Sequence, residues 1–193
     1  MIHAKGLILA LSAASPLAMA DAGPSYDCAQ AQGIERQVCA SAELSALDRQ
    51  LAEVYKKALA GTDAATQRRM RAEQRGWIRG RDECGKASDP NRCATLSYLR
   101  RLVELRIQSG EGVLLKAVEF SCGEHRKVFT ATFYNDVEPK AAVFSYGDDQ
   151  TIAIGQRTAS GARYSGEGMD FWEHQGEARV NWYGTRMTCK AVS

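Results

Sequence analysis

The hydrophobic period of this chain changes once, near residue 112, and that change commits it to two differently built halves. Before it, apolar residues recur at helical spacing. Leu44, Leu47, Leu51, Val54, Tyr55 and Ala58 make one helix face. Ser41 stands where that helix needs an N-cap and Gly61 where it stops. Asp63 can cap a second helix, along which Met70, Trp77 and Cys84 recur every seven residues. Asp89-Pro90 starts a third, with proline at the first helical position, and Cys93, Leu96, Val103 and Ile107 line up along one side of it. A shorter helix is expected from Cys28 to Val38. Helices joined by such short loops predict a small antiparallel bundle.

After the glycine-rich stretch 109–112, alternation takes over. Residues 118–120, 128–134, 142–146, 151–154 and 178–183 read as short strands separated by Gly, Asp, Asn and Pro. Several short strands at close spacing predict an antiparallel barrel or sandwich. The expected fold class is therefore α+β with two domains. A helical domain spans 21–108, a linker 109–116 and a strand domain 117–193.

The first twenty residues read as a signal peptide. Lys5 is basic, residues 6–11 are apolar, and Ala18-Met19-Ala20 supplies the small residues a peptidase reads, so cleavage is expected after Ala20. That apolar run is far shorter than the roughly 20 residues a bilayer requires. The first cysteine, Cys28, does not follow the cleavage site, so no lipid anchor is expected and the protein should be periplasmic. There the six cysteines at 28, 39, 84, 93, 122 and 189 are expected as disulfides. Four cysteines in the helical half allow three pairings. A hairpin turning at Gly61-Thr62 with equal arms brings Cys39 opposite Cys84 and leaves Cys28 for Cys93. Cys122 and Cys189 lie near the two ends of the strand half, where a bridge would tie first strand to last. Zinc would need tight pairs such as C-x-x-C, and none occurs, so no metal or other cofactor is expected.

Charge excludes little but weighs against nucleic acid. The net charge is +2; residues 21–116 carry 16 Lys+Arg against 13 Asp+Glu, and residues 117–193 carry 8 against 10. Catalytic patterns are missing: beyond the leader the histidines are His125 and His174, neither beside a free thiol, and there is no G-x-S-x-G elbow, P-loop or Rossmann fingerprint. No catalytic residue is expected, and the chain reads as a binding protein.

One stretch is informative. Thr158-Ala159-Ser160-Gly161-Ala162-Arg163-Tyr164 is followed by Phe171-Trp172-Glu173-His174-Gln175-Gly176-Glu177-Ala178. Flanked by Cys122 and Cys189, this resembles the MliC/PliC family of periplasmic and membrane-bound inhibitors of c-type lysozyme. The resemblance covers roughly residues 117–193 and implies an eight-stranded antiparallel β-barrel. It also implies a mechanism. A c-type lysozyme works with two facing carboxyl groups, one protonated and one ionised. A stiff loop carrying a hydroxyl and a cation or donor can hydrogen-bond both and exclude substrate. By that resemblance Ser160 reaches a catalytic carboxylate, Gly161 lets the loop turn, and Arg163 lies in the same segment. Tyr164 props the loop. The family lysine falls on His174 in a gapless match, or on Gln175 if the glycines are aligned at Gly176, so the permanent cation is missing here. Phe171 and Trp172 are expected in the barrel core.

The helical half has its own resemblance. Asp27-Cys28, Glu35, Cys39, Leu44, Leu47-Asp48, Tyr55, Gln74, Trp77, Arg81-Asp82, Cys84, Cys93 and Tyr98 look like the N-terminal domain of LprI-type lysozyme inhibitors, over roughly residues 26–108. Arg81-Asp82 is expected to be an internal ion pair or cap. Together the two resemblances imply an inhibitor whose partner is c-type lysozyme. The alternative is a structural or peptidoglycan-binding envelope protein without inhibitory activity.

Overall fold

The computed structural model describes residues 23–111, 116–123 and 127–192. The expected leader, residues 112–115 of the linker and His125 lie outside the described residues.

The N-terminal half is helical. A 3-10 turn at Cys28–Gln30 precedes α1 (Ile34–Ala40), α2 (Ala42–Ala60) and α3 (Ala64–Asp82); a second 3-10 turn at Glu83–Lys86 leads to α4 (Pro90–Gln108). The caps are those read from the sequence. The Ser41 hydroxyl accepts the Leu44 N–H at 3.2 Å, Asp63 accepts those of Ala65 and Thr66 at 2.8 and 3.0 Å, and Asp89 accepts that of Arg92 at 3.0 Å. Val38, Leu44, Leu51, Met70, Tyr98 and Leu102 pack together in the bundle core.

The cross-arm disulfides expected here are not formed. Cys28 bonds Cys39 and Cys84 bonds Cys93, in place of Cys28–Cys93 and Cys39–Cys84. Pairing across equal arms would need the chain to run straight into the hairpin. Instead Gly33 (φ +50°) and extended Ser41 break the chain on either side of α1, folding it back over the Cys28 turn. The 3-10 turn after Asp82 likewise returns Cys84 to the first turn of α4. Each bridge closes a local reversal, with Cα atoms 6.0 and 5.5 Å apart. Moreover, α2 lies mainly along α4 rather than along α3.

The C-terminal half is a closed antiparallel barrel of eight strands in sequence order. They are β1 (Val118–Ser121), β2 (Phe129–Tyr134), β3 (Ala141–Tyr146), β4 (Asp149–Gln156), β5 (Ala162–Gly166), β6 (Met169–His174), β7 (Glu177–Trp182) and β8 (Thr185–Ala191). β8 closes on β1 with Phe120 opposite Ala191, and the expected Cys122–Cys189 bridge is present. Closure leaves no unpaired sheet edge. Phe129, Phe144 and Phe171 are fully buried inside, the last two with ring centroids 4.8 Å apart. Strand alternation sends Phe171 inward as expected, but turns Trp172 outward, so Trp172 is not core.

The two halves touch. Cys93, Leu96, Val103 and Ile107 do share one side of α4, but from Leu99 onward that side faces the barrel, not the bundle. Leu99, Val103 and Ile107 pack on Tyr134, Val137, Ala141 and Ile154, the outer face of β2–β4 and the loop beside it. Leu96, nearer the helix N-terminus, stays 43% exposed. Arg100 reaches Glu167 in the β5–β6 turn at 3.5 Å. At the helical end of the linker, Lys57 pairs with Glu111 at 2.7 Å. Val103 is wholly buried at this junction. Val103→Asp, which puts a charge where no partner waits, is expected to cost about 2–5 kcal/mol of docking. Calorimetry should then resolve two unfolding transitions, against one expected for the parent. A single transition at the parent temperature would mean the junction contributes nothing.

Candidate functional site

The segment between β4 and β5 carries Ser160 at the surface. Its carbonyl accepts the Thr158 hydroxyl at 2.9 Å and the Trp172 indole N–H at 3.3 Å. The backbone is thus pinned from within and from β6, while the Ser160 side chain stays exposed. Gly161 follows at φ +72°, and a Cβ there would lie 2.0 Å from the Glu173 carbonyl oxygen. Only glycine lets the loop approach β6 so closely.

Tyr164 points into the barrel. It is 7% exposed, and its ring packs on Phe133 (5.4 Å) and Phe144 (5.9 Å). Burial pushes its phenol above the usual range. Its ring is part of the barrel core. Arg163 faces outward and is held by Asp170 at 3.0 Å, a carboxylate that also accepts the Ser165 hydroxyl at 2.8 Å.

His174 and Gln175 lie at the β6–β7 turn, where Gln175 and Gly176 both take positive φ. The His174 ring stacks on Trp172 with centroids 5.8 Å apart and planes 10° off parallel. Opposite Trp172 in the β6–β7 register stands Arg179, its guanidinium carbon 5.6 Å from the Trp172 ring centroid. Trp172, His174, Gln175, Glu177 and Arg179 line a shallow cleft of about 230 Å³. Trp172 is therefore the hub: its N–H holds the Ser160 loop and its ring lies beside His174 and Arg179.

Arg179 escaped the sequence reading. Its strand, residues 178–183, was legible, and alternation alone sends residue 179 to the outer face. Nothing local says that Trp172 lies across from it. Its nearest carboxylate, Glu177, is 3.9 Å away and its side chain is 69% exposed, so its charge is available to a partner.

In the helical half the motif residues converge on a buried network. Asp48 accepts the Tyr98 hydroxyl at 2.8 Å and the Ser25 N–H and hydroxyl at 2.8 and 2.6 Å. Arg81 donates to the Tyr98 oxygen at 3.0 Å and pairs with Asp82 at 2.7 Å, beside the edge-packed rings of Trp77 and Tyr98. Burial drives the Tyr98 phenol well above its ordinary range, and raises that of Tyr26 to about 12. Arg81 is 4% exposed. The Arg81-Asp82 pair joins this buried arginine to an exposed carboxylate, and the network braces the bundle.

Comparison with known proteins follows the same division. The family model for membrane-bound lysozyme-inhibitor of c-type lysozyme, MliC, matches residues 120–188, and that for lysozyme inhibitor LprI matches residues 28–110. Lipoprotein LprI of Mycobacterium tuberculosis and of Mycobacterium bovis are each 36% identical over 188 residues, covering 95% of this chain and 94% of theirs. The crystal structure of Pseudomonas aeruginosa MliC in complex with hen egg white lysozyme matches 42% of this chain and 88% of that one, at 26% identity and a TM-score of 0.35. With a cystine-stapled helical unit and a closed barrel in the same order, and relatives matched almost end to end, this chain belongs to the LprI family of lysozyme inhibitors.

Proposed function

We propose that the protein is a periplasmic inhibitor of c-type lysozyme that works by occlusion and catalyses nothing itself. The Ser160 loop enters the enzyme's cleft, where the hydroxyl bonds one of the two catalytic carboxyl groups. Arg179 supplies the permanent cation that His174 and Gln175 lack, assisted by donors from both. Tyr164 and Gly161 keep the loop in shape, and Arg163 extends the contact along β5. The observation that carries this reading is the pinning of the loop. A loop already held by Thr158 and Trp172 loses little conformational entropy on binding.

Export supports the same reading. The leader expected over residues 1–20 would deliver the chain to the compartment where lysozyme is met. Among the described residues no helix is long and apolar enough to cross a membrane.

Titration of bacterial lysis by c-type, g-type and i-type lysozymes tests the proposal. A hydrogen bond to a charged group is worth about 1.5–3 kcal/mol, so Ser160→Ala should weaken inhibition of the c-type enzyme about 10–100-fold. Equal protection by the alanine variant would remove the mechanism. A protein that leaves all three lysozymes untouched but sediments with cell walls would instead be a peptidoglycan-binding envelope component.

A further inference from the structure

α3 carries six arginines against two carboxylates in nineteen residues, yet only Met70 and Arg81 are buried along it. Arg68, Arg71, Arg75 and Arg79 follow one another at steps of three and four, so they form a single stripe about 16 Å long on the outer face. All four are exposed. Among the described residues none has an ion-pair partner. The helix's own pairs are Arg69–Glu73, on a different side, and Arg81–Asp82, at its end. Arg71 bonds only the neutral Gln67 amide, at 3.1 Å. Like charges at such spacing repel, so the bundle holds this stripe at some cost to the helix.

We propose that the α3 stripe docks the helical domain on an anionic phospholipid surface. The four guanidinium groups stand along one exposed helix face, so a plane of headgroup phosphates can meet them together. Ile78, 37% exposed, borders the stripe next to Arg71 and can dip among the headgroups. The barrel packs on α4, so the stripe lies outside that junction. This stripe is separate from the inhibitory loop, and the inference stands whether or not the protein meets lysozyme.

Sedimentation with lipid vesicles tests it, using the protein as exported by an expressing host. Binding is expected to vesicles in which a third of the phosphatidylcholine is replaced by phosphatidylglycerol, and not to phosphatidylcholine alone. It should fade at about 0.5 M salt, where screening shortens the reach of each charge. Each arginine near such a surface is worth about fivefold in partitioning. Replacing all four (Arg68→Gln, Arg71→Gln, Arg75→Gln, Arg79→Gln) should lower partitioning at least tenfold, with a ceiling of about 600-fold. Glutamine is a good helix former, so circular dichroism and any lysozyme inhibition should be unchanged. The four lysine replacements should keep binding. Equal binding to neutral vesicles, an unaffected glutamine variant, or capture of inorganic polyphosphate without capture of vesicles would each overturn the proposal.

Discussion

Gly161→Ala is expected to abolish most inhibition while leaving the barrel folded. The added Cβ would sit 2.0 Å from the Glu173 carbonyl oxygen, on a backbone at φ +72° that alanine adopts only under strain. Neither atom belongs to a flexible side chain, so the clash is relieved only by moving one backbone off the other by more than 1 Å, roughly the gap to an ordinary contact. That movement breaks the bond from the Trp172 indole to the Ser160 carbonyl and carries the hydroxyl out of place. The whole loop is lost from the contact rather than one hydrogen bond. The expected fall is therefore larger than for Ser160→Ala, about 100-fold or more in inhibition constant. Barrel closure is set elsewhere, by the β1–β8 pairing and the Cys122–Cys189 bridge, so the melting temperature should drop by only a few degrees. Full inhibition by a folded alanine variant would show that the loop geometry is irrelevant to function.

The largest effect on the stability of the helical bundle itself is expected from Asp48→Ala. It leaves Tyr98 and both Ser25 donors without their acceptor. Unsatisfied buried donors cost about 1–3 kcal/mol each, and Ser25 can turn partly to water. A net loss of about 2–4 kcal/mol follows, lowering the melting temperature by about 10 °C. Asp48→Asn keeps the shape and one acceptor oxygen and should lose about half as much. The comparison by calorimetry separates the network from the mere presence of a side chain. An alanine variant melting with the parent would mean that the network contributes nothing to stability.

The division of the chain was legible because period is a local property. Caps at Ser41, Asp63 and Asp89 and the stop at Gly61 all depend on a few neighbouring residues, whereas the outward position of Ser160 came through the resemblance. Three strands were harder. β5, β6 and β8 carry charged and polar residues outward and in part inward, so their alternation is diluted by Asp170, Glu173 and Arg186. Their existence came through the resemblance to a barrel family, not through pattern. Trp172 was misplaced in the core because an aromatic beside Phe171 looks apolar in sequence, whereas successive strand residues face opposite ways.

By itself the amino-acid order determined where α2, α3 and α4 begin and which half is helical and which is stranded. Those are matters of hydrogen bonds and torsions within a turn or two of each residue. Only the tertiary structure decided which cysteines meet, that one side of α4 belongs to the barrel, and that Arg179 lies over Trp172. Each of those depends on where the chain reverses. A single break, such as the one at Gly33, redirects everything that follows it and brings residues far apart in sequence within contact.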